Sequence, residues 1–301
     1  MYDSLEVIDW RGDRSYVGIV QVGMFNANAR VVPKIPLEQQ FLNLFDSLRT
    51  NHAGHGKLLL QIREFRFAEL TGSMSERGFC YFRASMYARN NDQYYPVAFI
   101  DTLVLVESME VTKTLMRNSA RMVSGFFESS LLLRPDTSIT YSLNDIMDID
   151  NYEKDRLPLY TSSPLKDGIY FSFSSFRSQQ PDRVAVAEFK KNGTLGTAKA
   201  VGRDGKIRKL DREDFYAIVF GGRAFVATEF GYYELTKRNN DLIFIGKAQT
   251  KTSAARVAAA SMAFGLLGAA IVSAHPSTAL FEMKIDHING GYVQLREIEN
   301  D

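Results

Sequence analysis

Residues 254–274 (AARVAAASMAFGLLGAAIVSA) form the one long apolar run in a chain that otherwise interleaves charge and hydrophobe. No charged side chain interrupts 257–274, which is close to the roughly 18 residues that a membrane-spanning helix needs. Much of the run is Ala, Ser and Gly, which gain far less than Leu or Ile on leaving water. At helical spacing Ser261, Gly265, Ala269 and Ser273 make a ridge of small side chains that admits another backbone closely. Met262, Phe264, Leu266, Leu267 and Ile271 cover the rest of the cylinder, and a helix apolar all round is buried in protein or in lipid. The ridge is therefore the expected helix-packing or membrane contact. Downstream, 279–286 and 291–298 read as a hairpin, which is marginal alone and needs a sheet to complete. A spanning helix would cut it off from that sheet. Packing within the protein or its oligomer is the favoured reading, with a spanning helix and a re-entrant bend at 265–268 as alternatives.

The 301 residues, 45% hydrophobic and 12% aromatic, suffice for two cores. With 36 basic and 35 acidic residues the net charge is +1, which removes the broad electrostatic case for nucleic acid or an anionic membrane surface. Cys80 is the single cysteine, so no internal disulfide framework exists. Residues 1–10 (MYDSLEVIDW) have neither the basic start nor the apolar centre of a signal peptide, and the chain reads as cytosolic or already trimmed. Arg11-Gly12-Asp13 reads as a polar turn.

Taken in order, 16–23 reads as a buried strand ended by glycine, and Pro36 opens a helix whose Leu37, Phe41, Leu44, Phe45 and Leu48 share a face. Residues 57–70 read as a strand that changes phase, with Leu58, Leu60 and Ile62 on one face and then Phe65 and Phe67 on the other, a change that a bulge near Arg63 and Glu64 would explain. Residues 78–89 and 94–106 give two more long strands. Residues 109–133 read as an amphipathic helix with Val111, Leu115, Met122, Val123, Phe126 and Phe127 inward and Lys113, Arg117 and Arg121 outward. The fold class expected is α+β: a two-layer domain over 1–135, a proline-bearing linker over 136–163, and a mostly antiparallel β domain over 164–301 containing the apolar helix 254–274. Within the last, 168–176 and 183–189 read as strands, and Asn192-Gly193 and Asp204-Gly205 as hairpin turns.

The order strand, helix, three strands, long helix over 16–133 resembles the α+β fold of auxiliary lipoproteins of bacterial envelope transporters, in topology. The second half carries GIYFSFSSFRSQQPD at 168–182, FYAIVFGGRAFVATEFGYYEL at 215–235, FGLLGAAIVSA and a terminal NGGYVQL. These segments resemble an uncharacterised family of bacterial envelope-associated proteins that pair GIY-x-x-F-x-x-F with a Gly/Ala-rich run. The resemblance implies a cell-envelope location, periplasmic or membrane-associated, with cytoplasm as the alternative, and it implies no catalytic residues or cofactor.

Chemistry is sparse. No phosphate-cradling glycine loop, nucleophile elbow or helical HExxH occurs. His52 and His55 are spaced like metal ligands but lie in a glycine-rich stretch with no cysteine or carboxylate beside them, and read as an exposed loop. His275 and His287 read as segment ends. Asp145, Asp148 and Asp150 lack the glycine and terminal glutamate of a calcium loop and read as a solvated linker. Cys80 shares the apolar phase of its strand and reads as an inert core thiol. Tyr81, Arg83, Tyr87 and Arg89 share a strand face, a candidate interface, packing on the second domain being favoured over stacking on single-stranded nucleic acid. The expected function is a non-enzymatic envelope binding or assembly component with a protein partner or self-association, membrane contact through 257–274, no nucleic acid, no metal and no cofactor. A soluble hydrolase or small-ligand binder with a site between the domains is the alternative.

Overall fold

The computed structural model describes residues 2–22, 27–49, 56–71, 76–108, 111–249 and 278–298. The fold is mixed α+β with mostly antiparallel sheets. Described residues up to 149 form one compact unit and those from 150 another, so the division falls inside the segment read as a linker.

The first unit runs β1 (Tyr2–Asp9), β2 (Gly18–Val22), β3 (Ala27–Arg30), α1 (Leu37–Leu48), β4 (Gly56–Thr71), β5 (Glu76–Asn90), β6 (Gln93–Ser108), α2 (Thr112–Leu132) and α3 (Leu143–Met147). Its six strands make one sheet in the order β3-β2-β4-β5-β6, with β1 also paired to β4. Both β1 and β2 lie parallel to β4 and share its edge end to end, β1 along 56–62 and β2 at Phe67 and Ala68. Between those stretches the β4–β5 register shifts from Ile62 to Glu64, leaving Arg63 as the extra residue of a bulge. The bulge lets Leu58, Leu60 and Ile62 before it and Phe67 after it enter one core with Cys80, Phe82, Ala84 and Met86.

Helix α1 buries Leu37, Phe41 and Phe45 there, and α2 buries Leu115, Val123, Phe126 and Phe127. Lys113, Arg117 and Arg121 are exposed, as the helical spacing requires. The Phe41 ring stacks on Phe82 and Phe127 at centroid distances of 6.1 and 5.7 Å, and such pairs add about 0.5–1.5 kcal/mol beyond the area they bury. On the opposite sheet face residues 136–149 fold back. Tyr141 forms a β-bridge with Tyr94, the Asp136 N–H donates to the Pro96 carbonyl at 2.7 Å, and Gln61 Nε2 donates to the Ile146 carbonyl at 2.6 Å. Leu59, Tyr87, Tyr94 and Ile146 form a second small core beneath this segment.

The second unit opens with α4 (Ile149–Lys154) and α5 (Pro158–Thr161), so that with α3 about half of the expected linker is helix, and Leu159 and Tyr160 are buried. It continues through β7 (Gly168–Tyr170), α6 (Phe173–Arg177), β8 (Ala185–Phe189), β9 (Leu195–Val201) and β10 (Ile207–Lys209). Then come β11 (Ala217–Phe220), β12 (Arg223–Thr228), β13 (Gly231–Glu234), β14 (Thr236–Arg238), β15 (Asp241–Gln249), β16 (Thr278–Ile285) and β17 (Tyr292–Ile298). The 168–176 stretch, expected as one strand, stops at Tyr170. Ser172 caps the helix that follows by accepting the Ser175 N–H at 3.1 Å, which turns Phe176 into the core.

Three antiparallel sheets result: β10-β9-β8, β13-β12-β11-β7 and β14-β15-β16-β17. Alternate residues of β11 and β12 enter different cores. Ala217, Val219, Ala224 and Val226 pack with Phe244, Phe281, Met283 and Ile285, whereas Ile218 and Phe225 pack with Ala185, Leu195 and Ala198. A strand buried on both faces has no polar phase, which is why AIVF and RAFVAT read as continuous apolar runs.

The terminal hairpin does complete a sheet, with β16 pairing β15 from Ile243 opposite Lys284 to Gln249 opposite Thr278. Residues 257–274, with Ser261, Gly265, Ala269 and Ser273, lie outside the described residues. The strands on either side of this interval, β15 and β16, are antiparallel ladder neighbours. Among the described residues no helix is long and apolar enough to cross a membrane.

Gly18 has φ +149°, and a Cβ there would lie 2.1 Å from the Phe67 carbonyl oxygen. Only glycine lets β2 join β4 at this point. Gly18→Ala is expected to lower unfolding stability by about 3 kcal/mol through backbone strain and overpacking. Urea denaturation is the check, and a loss within about 0.5 kcal/mol would remove the close approach as a constraint.

Candidate functional site

Where β1 ends, the chain turns around Arg11. The Trp10 N–H donates to the Ile62 carbonyl at 2.8 Å, extending the β1 ladder by one residue. Arg11, 2% exposed, turns inward and grips Asp9 through Nε–Oδ1 at 2.8 Å and Nη2–Oδ2 at 2.7 Å, while its Nη1 donates to the Tyr16 carbonyl at 3.0 Å. The following turn is closed by Asp13, which accepts from the Ser15 hydroxyl at 2.6 Å and the Ser15 N–H at 2.9 Å. Those hydrogen bonds hold the exposed Asp13 carboxyl below its ordinary range.

A cleft of about 710 Å³ opens beside this turn. One side is Val7, Ile8, Trp10, Arg14 and Ser15; the other is the Val32-Pro33-Lys34 stretch with Pro36, Leu37 and Glu38 at the start of α1, and Met147 of α3 also contributes. Pro33 and Pro36 fix the backbone leading into the helix. Val32 is 64% exposed, an open apolar side chain on the wall, and Arg14 and Lys34 are exposed cations. Asp9 is occupied by Arg11 and Ser15 by Asp13. The lining contains no histidine or cysteine. Its chemistry is an indole and aliphatic surface edged by the exposed cations Arg14 and Lys34 and by one exposed carboxylate, Glu38.

No protein-family model, curated protein or solved structure matches this chain.

The sequence-expected residues fall elsewhere. Tyr81 and Arg83, each 6% exposed, converge on Asp101: the Tyr81 hydroxyl donates to Oδ1, and Arg83 meets the carboxylate through Nε at 3.0 Å and Nη2 at 3.2 Å. Tyr87, 3% exposed, packs edge-on against Tyr141 at 5.5 Å. Arg89 is partly open, its Nε donating to the Asn91 carbonyl at 3.0 Å and its Nη1 lying 3.4 Å from Glu6. Tyr81, Arg83 and Tyr87 are thus engaged inside their own unit, and no base-stacking row is presented by them. Asp145 caps α3, exchanging hydrogen bonds with Ser142. His52, His55 and His275 lie outside the described residues.

His287, read as a segment end, is instead 6% exposed, and its Nε2 lies 2.7 Å from Glu153 Oε2. Its turn is fixed from several sides. The Ile288 N–H donates to Asp286 Oδ1 at 2.8 Å, the Tyr216 hydroxyl to the Gly290 carbonyl at 2.8 Å, and Arg177 Nη1 to the Ile288 carbonyl at 3.3 Å. Asp150 and Glu153 occupy one face of α4, and one donor atom from each of Asp150, Glu153 and His287 lies within 4.8 Å of the others. The i, i+3 acidic pair was the available sequence signal for this group. Its histidine partner, 134 positions from Glu153, was not.

Cys80 is buried with no exposed surface, and desolvation pushes its thiol up to about 12 from 9.0. A raised thiol pKa makes the protonated, folded form favoured. Stability from this group is full below the unfolded value of 9.0 and is lost as pH rises toward the folded value of about 12. The native protein is expected to resist a disulfide reagent such as DTNB at pH 8 and to react with one equivalent in denaturant. Rapid native labelling would show an accessible thiolate.

Proposed function

We propose that the protein is a non-enzymatic binding component that seats an amphiphilic anionic ligand in the Trp10 cleft. The observation that carries this reading is the lining itself: an indole and exposed aliphatic groups beside Arg14 and Lys34, with Asp9 already paired with Arg11, so that two exposed cations face one exposed carboxylate, Glu38. An envelope setting for that binding is part of the proposal, and it rests on the resemblance read from the sequence at 168–182 and 215–235. The cleft lies within the first unit, so the reading needs no site between the units.

Trp10 is the single tryptophan, which makes the cleft directly observable. The fluorescent amphiphilic anion 1-anilinonaphthalene-8-sulfonate is expected to bind saturably and to quench Trp10 by energy transfer. Replacing both exposed cations, Arg14→Glu with Lys34→Glu, is expected to weaken that binding about tenfold, since two attractive charges become repulsive at the rim. Equal affinity in the charge-reversed protein would sink the anion reading. Turnover of a p-nitrophenyl ester lost with the same pair would replace binding by hydrolysis.

A further inference from the structure

We propose that Asp150, Glu153 and His287 bind a divalent transition-metal cation of the zinc class through two carboxylate oxygens and the imidazole Nε2. This site lies in the second unit and is independent of the Trp10 cleft. Its three donors come from two rigidly held pieces of chain. Helix α4 presents Asp150 and Glu153 one turn apart, and its C-terminal end is anchored by Lys154, 4% exposed, which forms an ion pair with Asp241. Asn240 Nδ2 adds hydrogen bonds to Asn151 at 3.3 Å and Asp155 at 3.1 Å. The His287 turn is held by its own Asp286 and by Tyr216 and Arg177. Gly290, at φ +78°, sits so close to Phe173 that a Cβ would lie 2.2 Å from the ring. Neither piece has to be ordered by the ion.

The dimensions suit a small cation. Metal–nitrogen and metal–oxygen bonds of about 2.0–2.2 Å place donor atoms about 3–4 Å apart. The three donor atoms already lie within 4.8 Å of one another, and the 2.7 Å His287–Glu153 contact has only to open slightly. One imidazole with two carboxylates is a borderline donor set that suits Zn²⁺ or Mn²⁺ rather than the all-oxygen shells of Ca²⁺ and Mg²⁺. Two carboxylates neutralise the ion's charge, and three protein ligands leave a position for water or a fourth donor.

A second observation points into the same place. Tyr160 is 4% exposed, and its hydroxyl has no hydrogen-bond partner. Its ring stands edge-on to His287 at 6.5 Å. An unpaired buried hydroxyl costs about 1–3 kcal/mol unless something accepts or replaces its bond, and a metal-bound water would do so.

The competing account makes Glu153–His287 an ion pair that only fixes the turn. Isothermal titration of the full chain with ZnCl₂ and with MnCl₂, using CaCl₂ and MgCl₂ as controls, separates the two. The metal site predicts one equivalent of Zn²⁺ or Mn²⁺ bound, loss of that binding in His287→Gln, and weakening by about tenfold or more in Asp150→Asn. Asp150 is exposed, so its near-isosteric replacement leaves the fold and the Glu153–His287 contact intact, which circular dichroism verifies. The double variant His52→Ala/His55→Ala is expected to bind as the parent does. No binding by the parent, undiminished binding in Asp150→Asn, or loss only in the His52/His55 variant would each overturn the assignment.

Discussion

A strand that carries two parallel partners on one edge has a gap in its ladder where they meet, and in β4 that gap is closed by Arg11. The guanidinium reaches the carbonyls of Tyr16 and Phe65, at 3.0 and 3.5 Å, between the end of β1 and the start of β2. Burying a guanidinium is costly without a counter-charge, and Asp9 supplies one in a two-pronged grip. The Arg63 bulge sits in the same interval, so the irregularity of β4 on one edge coincides with the change of partner on the other. Trp10 and Arg14 flank Arg11 in sequence. The cleft wall is thus a by-product of the way the sheet is joined.

Both units bury both faces of their central strands, by different means. In the first, helices cover one face of β5, and residues 136–149 reach back to cover part of the other. In the second, β11 and β12 lie between two further sets of side chains, and alternate residues go to each. Burial on both faces explains the low exposure of Tyr81, Arg83 and Tyr87 despite their polar groups. Asp101 takes the Tyr81 hydroxyl and the Arg83 guanidinium, and the Tyr87 ring packs edge-on against Tyr141.

These differences mark the limits of periodicity as a guide. Helices α1 and α2, strands β4 to β6, the Arg63 bulge and the terminal hairpin were legible because each repeats a face over many residues. Strand β1 was not, because its pattern in YDSLEVID is short and charged, and its pairing with β4 lies across an intervening strand pair and helix. The turn at 172–177 was obscured because aromatic and serine residues suit both strand and capped helix, and a local bond from Ser172 decides between them. The 136–163 segment was read as a linker from its prolines and acids. Its isolated Ile146, Ile149, Leu159 and Tyr160 are nevertheless buried one or two at a time, a pattern too sparse for any period to show. Both sites were illegible for the same reason: Trp10 meets the 32–38 stretch, and His287 meets α4, only through tertiary folding.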